Sequence, residues 1–163
     1  MKRIKQFLPF VFAGIIALFL VACGGSKAPE GGDSTAQPGF NFVQLDKVSG
    51  ATITATGEAE ATQIFDLTLK DGEAFVCTGV TETGEWEIVI SQNDAEIAAD
   101  QLNQGTSVSE TALEPGTYTV SVCARAATGT VNILAYPAGT LDFENTDTEA
   151  LIALVQDYIN ANA

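Results

Sequence analysis

The chain has 163 residues, with 21 acidic against 7 basic side chains, no histidine, and a formal charge of −14. The missing imidazole excludes a histidine general base and His-ligated zinc within the chain. The acidic excess sets the body against nucleic acid and anionic lipid surfaces, and in favour of divalent cations or a basic partner.

Lys2, Arg3 and Lys5 precede a nearly uncharged run from Phe7 to Ala22. These are the basic and apolar regions of a secretory signal. The run is about 16 residues long with Pro9 inside it, short of the ~20 apolar residues that a spanning helix needs. It ends in Leu20-Val21-Ala22-Cys23, which resembles the lipobox of bacterial lipoprotein precursors. The resemblance implies a lipid thioether on Cys23, cleavage before it, and often acylation of the new amine. Two or three acyl chains hold a protein on a bilayer where one does not. The alternative is an ordinary cleaved signal with an incidental cysteine. Gly24 follows where aspartate often marks inner-membrane retention, so in a two-membrane bacterium the expected address is the outer membrane. Removing Lys2, Arg3 and Lys5 with residues 1–22 takes the formal charge from −14 to about −17. What remains is about 140 residues, enough for one domain.

Residues 23–39 comprise the cysteine and a stretch rich in Gly, Pro, Ser and Ala without apolar periodicity. It reads as a flexible tether spanning about 20–25 Å on average. From 40 to 137, short runs rich in Val, Ile, Thr and aromatics alternate with turn residues. Strands are expected near 51–56, 62–69, 73–78, 85–91, 94–98, 106–112, 116–124 and 129–136. Lys70-Asp71-Gly72 and Glu114-Pro115-Gly116 mark turns. Eight such strands suggest an antiparallel β-sandwich or jelly roll. Alternation places Phe65, Leu67 and Leu69, then Trp86, Ile88 and Ile90, then Tyr118, Val120 and Val122 on inner faces.

Cys23 is taken by the anchor, which leaves Cys77 and Cys123. Exported proteins usually join an even pair, so a Cys77–Cys123 disulfide is expected, stabilising the fold by ~2–4 kcal/mol. The alternative is two buried thiols. Cys123 falls on the outer face of its strand. A disulfide would bring Cys77 and Phe75 to that face as well, unless a bulge flips the register. Leu134 and Tyr136 are also expected outside, and such an apolar patch needs a cover. The segment 138–163 supplies a candidate. Thr146-Asp147-Thr148-Glu149 has capping-box spacing. Leu151, Ile152, Leu154, Val155, Tyr158 and Ile159 then follow at helical spacing, predicting an amphipathic helix over about 147–161. It packs either on its own sheet or on a partner protein.

Phe65-Asp66-Leu67-Thr68-Leu69 followed by Gly72-Glu73, the run from Ala112 to Val122, and the closing strand from Gly129 to Tyr136 together resemble the bacterial pre-peptidase C-terminal domain. The resemblance covers roughly half of the mature chain. It implies a β-sandwich with a non-catalytic accessory or binding role, sometimes with calcium. The chain departs from that pattern in having no protease domain ahead of the module and a helix after it.

Glu85 and Glu87 share a strand face, and Asp94 with Glu96 is a second such pair. Paired carboxylates can hydrolyse glycosides, but they also decorate solvated strands. No Gly-x-Ser-x-Gly elbow, phosphate loop or Cys-x-x-Cys occurs. Calcium could draw on Asp66, Asp71, Glu73, Glu85, Glu87, Asp94 and Glu96, which have no diagnostic spacing; no other cofactor is expected. The sequence thus predicts a lipid-anchored, non-enzymatic module of the cell envelope. An accessory subunit of a transport or secretion complex, docking through the C-terminal helix, is the alternative. A carboxylate-based hydrolase is third.

Overall fold

The computed structural model describes residues 39–57 and 60–162. The signal, Cys23 and most of the tether lie outside the described residues. Seven antiparallel strands and one helix follow in chain order: β1 Phe40–Gln44, β2 Gly50–Thr56, β3 Ala61–Leu69, β4 Glu73–Gln92, β5 Ala95–Leu102, β6 Gly105–Thr111, β7 Gly116–Pro137 and α1 Thr148–Ala161. The fold class is therefore mainly β with a C-terminal helix, as the strand spacing predicts.

Two strands are far longer than expected. The predicted segments 73–78 and 85–91 are one strand, β4, and 116–124 and 129–136 are one strand, β7. They pair with each other along nearly their whole length. The ladder slips between Thr81 and Glu85, opposite Arg125 to Gly129. At this corner Gly84, Ala126 and Gly129 all have positive φ. Beyond it the partners change. The Glu73–Thr81 and Gly129–Pro137 halves are flanked by β6 on one side and by β2 and β1 on the other. The Glu85–Ser91 and Gly116–Arg125 halves are flanked by β5 and β3. One hydrogen-bonded sheet is thus folded over on itself into two layers.

The core lies between these layers. Ile53, Phe75, Cys77, Val131 and Ile133 from one half join Leu67, Trp86, Ile88, Val120 and Val122 from the other. Inward side chains are odd-numbered in β4 before the corner and even-numbered after it. In β7 the order is even, then odd. A bulge that inserts one unpaired residue reverses which face every later side chain takes, so each long strand turns an apolar set toward the core on both sides of the corner. β1, which the alternation did not predict, contributes Phe40 and Phe42 to the core edge. The Phe42 ring lies 5.4 Å from that of Phe65.

A second, smaller cluster covers part of the outer face of the first layer. Leu151, Val155 and Ile159 of α1 meet Val76, Leu134 and Tyr136, with Leu141 beside them. The Tyr136 and Tyr158 rings meet edge-on at 4.7 Å. The helix therefore packs on its own sheet, and Leu134 and Tyr136 face outward beneath it as expected. Phe75 does not; it is in the inner core. The helix start is also one residue later than the capping-box spacing suggests. Asp147, not Thr146, is the cap, its carboxylate accepting from Ala150 N at 2.8 Å.

The expected disulfide is corrected by this topology. Cys77 stands opposite Ile133 and Cys123 opposite Glu87, on opposite sides of the corner. Cys77 is fully buried in the inner core, and Cys123 is buried on an outer face. The two are not bonded to each other. Cys77 points into the core between the layers and Cys123 away from it, whereas a disulfide needs the two Cβ atoms directed at each other.

Candidate functional site

The outer face of the second layer carries the charged side chains that the sequence singled out. Glu85 pairs across the ladder with Arg125, and Glu87 with Cys123. Alternation brings the carboxylates of Glu85 and Glu87 to one side of the strand, and Arg125 reaches both. Its Nη1 lies 3.4 Å from Glu85, and its Nη2 makes a tighter contact with Glu87. The bond from Glu85 and the nearby charge of Glu87 raise the guanidinium pKa further above its ordinary value. Gln101 on β5 donates to the other oxygen of Glu85 at 3.0 Å. Cys123 Sγ lies 3.7 Å from Glu60 Oε1. The candidate acid/base pair is thus part of a three-membered ion-pair group, with one guanidinium contacting both carboxylates.

The proposed calcium donors are dispersed. Asp66 accepts from Thr119 on the neighbouring strand at 3.3 Å, and Glu73 accepts from the Lys70 amide at 2.8 Å across the turn. Asn93 and Asp94 form the positive-φ turn between β4 and β5. Among the described residues no group of three or more acidic or thiol side chains is placed to hold a metal ion.

Two features escaped the sequence reading. At the end of the sandwich away from the corner, a cleft of about 410 Å³ opens between Gln92, Ile97, Ala112, Leu113, Glu114 and Tyr118. Tyr118 supports it by donating its hydroxyl to the Glu114 carbonyl at 2.6 Å. The Glu114-Pro115-Gly116 turn followed by an inward tyrosine was the available signal. The second feature is polar and lies at the β5–β6 seam. Ser109 donates to Asp100 at 2.8 Å. Burial first, and then the Asp100 charge, push the Cys77 thiol pKa far up, so this thiol is held in its unreactive form.

The outer face of the first layer differs in kind. Beside α1, Thr52 donates to Asn132 at 2.8 Å, and Asn132 donates to Thr78 at 3.2 Å. One row further from the helix, Thr54 and Thr130 share a hydrogen bond of 3.3 Å. Beyond that, Thr56 stands opposite Thr128, and Thr128 opposite Thr83. No charged residue stands in the first two of these rows, which run from β1 to β6; the third is shorter, with exposed Glu82 at the slip beside Thr83.

No family model and no curated protein matches this sequence. Solved structures show distant likeness. A glycosylation-associated protein (Gap123) complex from Streptococcus agalactiae aligns at 12% identity and TM-score 0.35, over 68% of this chain and 43% of that one. TmCBM61 in complex with β-1,4-galactotriose aligns at 12% and 0.32, over 60% and 68%. A family two carbohydrate esterase from Clostridium thermocellum, in complex with cellohexaose, aligns at 16% and 0.31, over 63% and 28%. The chain therefore spans less than half the length of the first of these.

Proposed function

We propose that this chain is a lipid-anchored, non-enzymatic module of a bacterial cell envelope, tethered through Cys23 and acting by binding or by structural support. One observation carries the reading: a basic apolar signal, Leu20-Val21-Ala22-Cys23 and a polar Gly/Pro-rich stretch occur in that order, immediately ahead of a sandwich that begins at Phe40. Lipid attachment supplies the membrane affinity, so the acidic body needs no basic patch. Among the described residues, no helix is long and apolar enough to cross a membrane. Gly24 favours the outer membrane in a two-membrane host. No cofactor is part of the proposal.

The Arg125 contacts support the non-enzymatic side of it. A glycosidase pair faces substrate across an open gap, whereas Glu85 and Glu87 close on a guanidinium. A turnover assay in which activity is lost on Glu85→Gln or Glu87→Gln would sink this part.

The docking alternative rests on two exposed apolar side chains of the C-terminal segment, Phe143 and Leu154. The buried face of α1 argues for the leading reading, since Leu151, Val155 and Ile159 are already spent on the chain's own sheet. Deleting 146–163 separates the two. Lower stability is expected; an unchanged melt with loss of co-purifying partners contradicts it.

A further inference from the structure

The formal charge of the chain is −14, yet one row across the outer face of the first layer carries none, between Glu110, opposite Val76, and Glu82, two residues beyond Val80. Across five strands, Asn41, Thr54, Thr130, Val80 and Thr106 stand in one row. Their inward neighbours are core residues, so these side chains point out. Asn41, Val80 and Thr106 are exposed, and Thr54 and Thr130 partly so. The outer face of the other layer differs, with Asp66, Glu85, Glu87 and Arg125 on it.

We propose that this uncharged threonine strip binds a neutral, hydroxyl-rich polymer, a glycan of the cell envelope. The proposal rests on the binding-module reading and names its ligand class. Three arguments select the occupant. The first is charge. A polyanion or an anionic lipid is repelled by the acidic body, and a cationic ligand finds no carboxylate within the row from Asn41 to Thr106; a neutral polymer meets neither obstacle. The second is hydrogen-bonding capacity. A threonine hydroxyl offers one donor and two acceptor positions. The Thr54–Thr130 bond uses one proton, leaving a donor and several acceptors for sugar hydroxyls. The methyl groups, with Val80, offer apolar contact to the C–H faces of the rings. The third is size. Four strand spacings give the row a length of about 19 Å, and the shorter Thr56–Thr128–Thr83 row beside it brings the width to about 14 Å. The strip ends where Thr78 and Asn132 become buried. That is well below the ~800 Å² per partner of a stable protein interface, so a second copy of the chain is the poorer fit.

The test uses the full chain in detergent, with cellulose, chitin and mannan as neutral probes and polygalacturonate as the anionic control. Retention on at least one neutral polymer is expected, equal at low and high salt, with none on polygalacturonate. Thr54→Val with Thr130→Val should weaken retention about tenfold or more at unchanged melting temperature. Val80→Asp should do the same, with Thr106→Asp in reserve if Val80→Asp does not fold. No retention on any neutral polymer overturns the proposal. So does retention indifferent to all these substitutions, which leaves the module reading standing. Concentration-dependent self-association abolished by Val80→Asp, without retention, would make the strip a contact between copies and also overturn it. Anchoring through Cys23 is measured separately by membrane partition, so failure there is distinguishable.

Discussion

Gly129 sits where β7 turns the corner, at φ +147°. A Cβ there would lie 2.0 Å from the Val80 carbonyl oxygen, which belongs to the adjacent strand and cannot move alone. Gly129→Ala should therefore cost about 2 kcal/mol or more, read as a lower melting temperature; an unchanged melt would mean the strands do not meet so closely. The cysteines give a second residue-scale prediction. Cys77 faces the core and Cys123 an outer face, and the two are not bonded. Denatured, unreduced protein should take up alkylating reagent at both positions, and native protein should resist at Cys77. A mass unchanged by alkylation without reductant would restore the disulfide. Asp142 adds a pH dependence. The Asn145 side chain, and then the Asn145 and Glu144 amides, hold its carboxyl below the ordinary carboxylate range. A depressed pKa means stabilisation present above the unfolded value and lost as pH falls through the folded one. The gap in melting temperature between the wild type and Asp142→Ala should be open at neutral pH and close in acid.

At the scale of elements, the helix was readable because six apolar residues repeat at its period and an acidic cap precedes them. Its boundary was off by one residue because Thr146 and Asp147 are both competent caps, and only the loop geometry selects Asp147. β1 was missed because Phe40 and Phe42 give too short an alternation; its strand state depends on pairing with β2. The inner faces of β3, β4 after the corner and β7 before it followed from period-two alternation. What alternation cannot carry is phase across a bulge. Cys77 and Phe75 were placed outside by assuming a disulfide, and the slip between Thr81 and Glu85 reverses that assignment. The Glu85–Glu87 pairing on one face was legible; the Arg125 between them was not, because register across two strands is not written in either one. Helix packing is checked by a contrast. Leu151→Ala empties a buried site and should cost ~2–5 kcal/mol. Leu154→Ala, on the exposed side, should stay within about 0.5 kcal/mol. Equal effects would mean that α1 does not lie on its own sheet as described.

For the whole molecule, two features reinforce each other. The hydrogen-bonded layers, joined by β4 and β7 and covered on one side by α1, make a self-contained body without a disulfide. Such a body can fold without help from its neighbours. Its acidic surface is repelled by anionic headgroups, so the proposed lipid on Cys23 would supply the attachment. The charged outer face of the second layer and the part of the first layer's outer face that α1 leaves open are then available, and the uncharged row on the latter is where a neutral envelope polymer would lie. The most direct test of this account is membrane partition of wild-type protein and Cys23→Ser in a bacterial host, with a fatty-acid label followed on the same samples. The account predicts a labelled, membrane-bound wild type and an unlabelled, released variant that melts at the same temperature. A wild type that carries no label, or a variant that stays on the membrane, would contradict it.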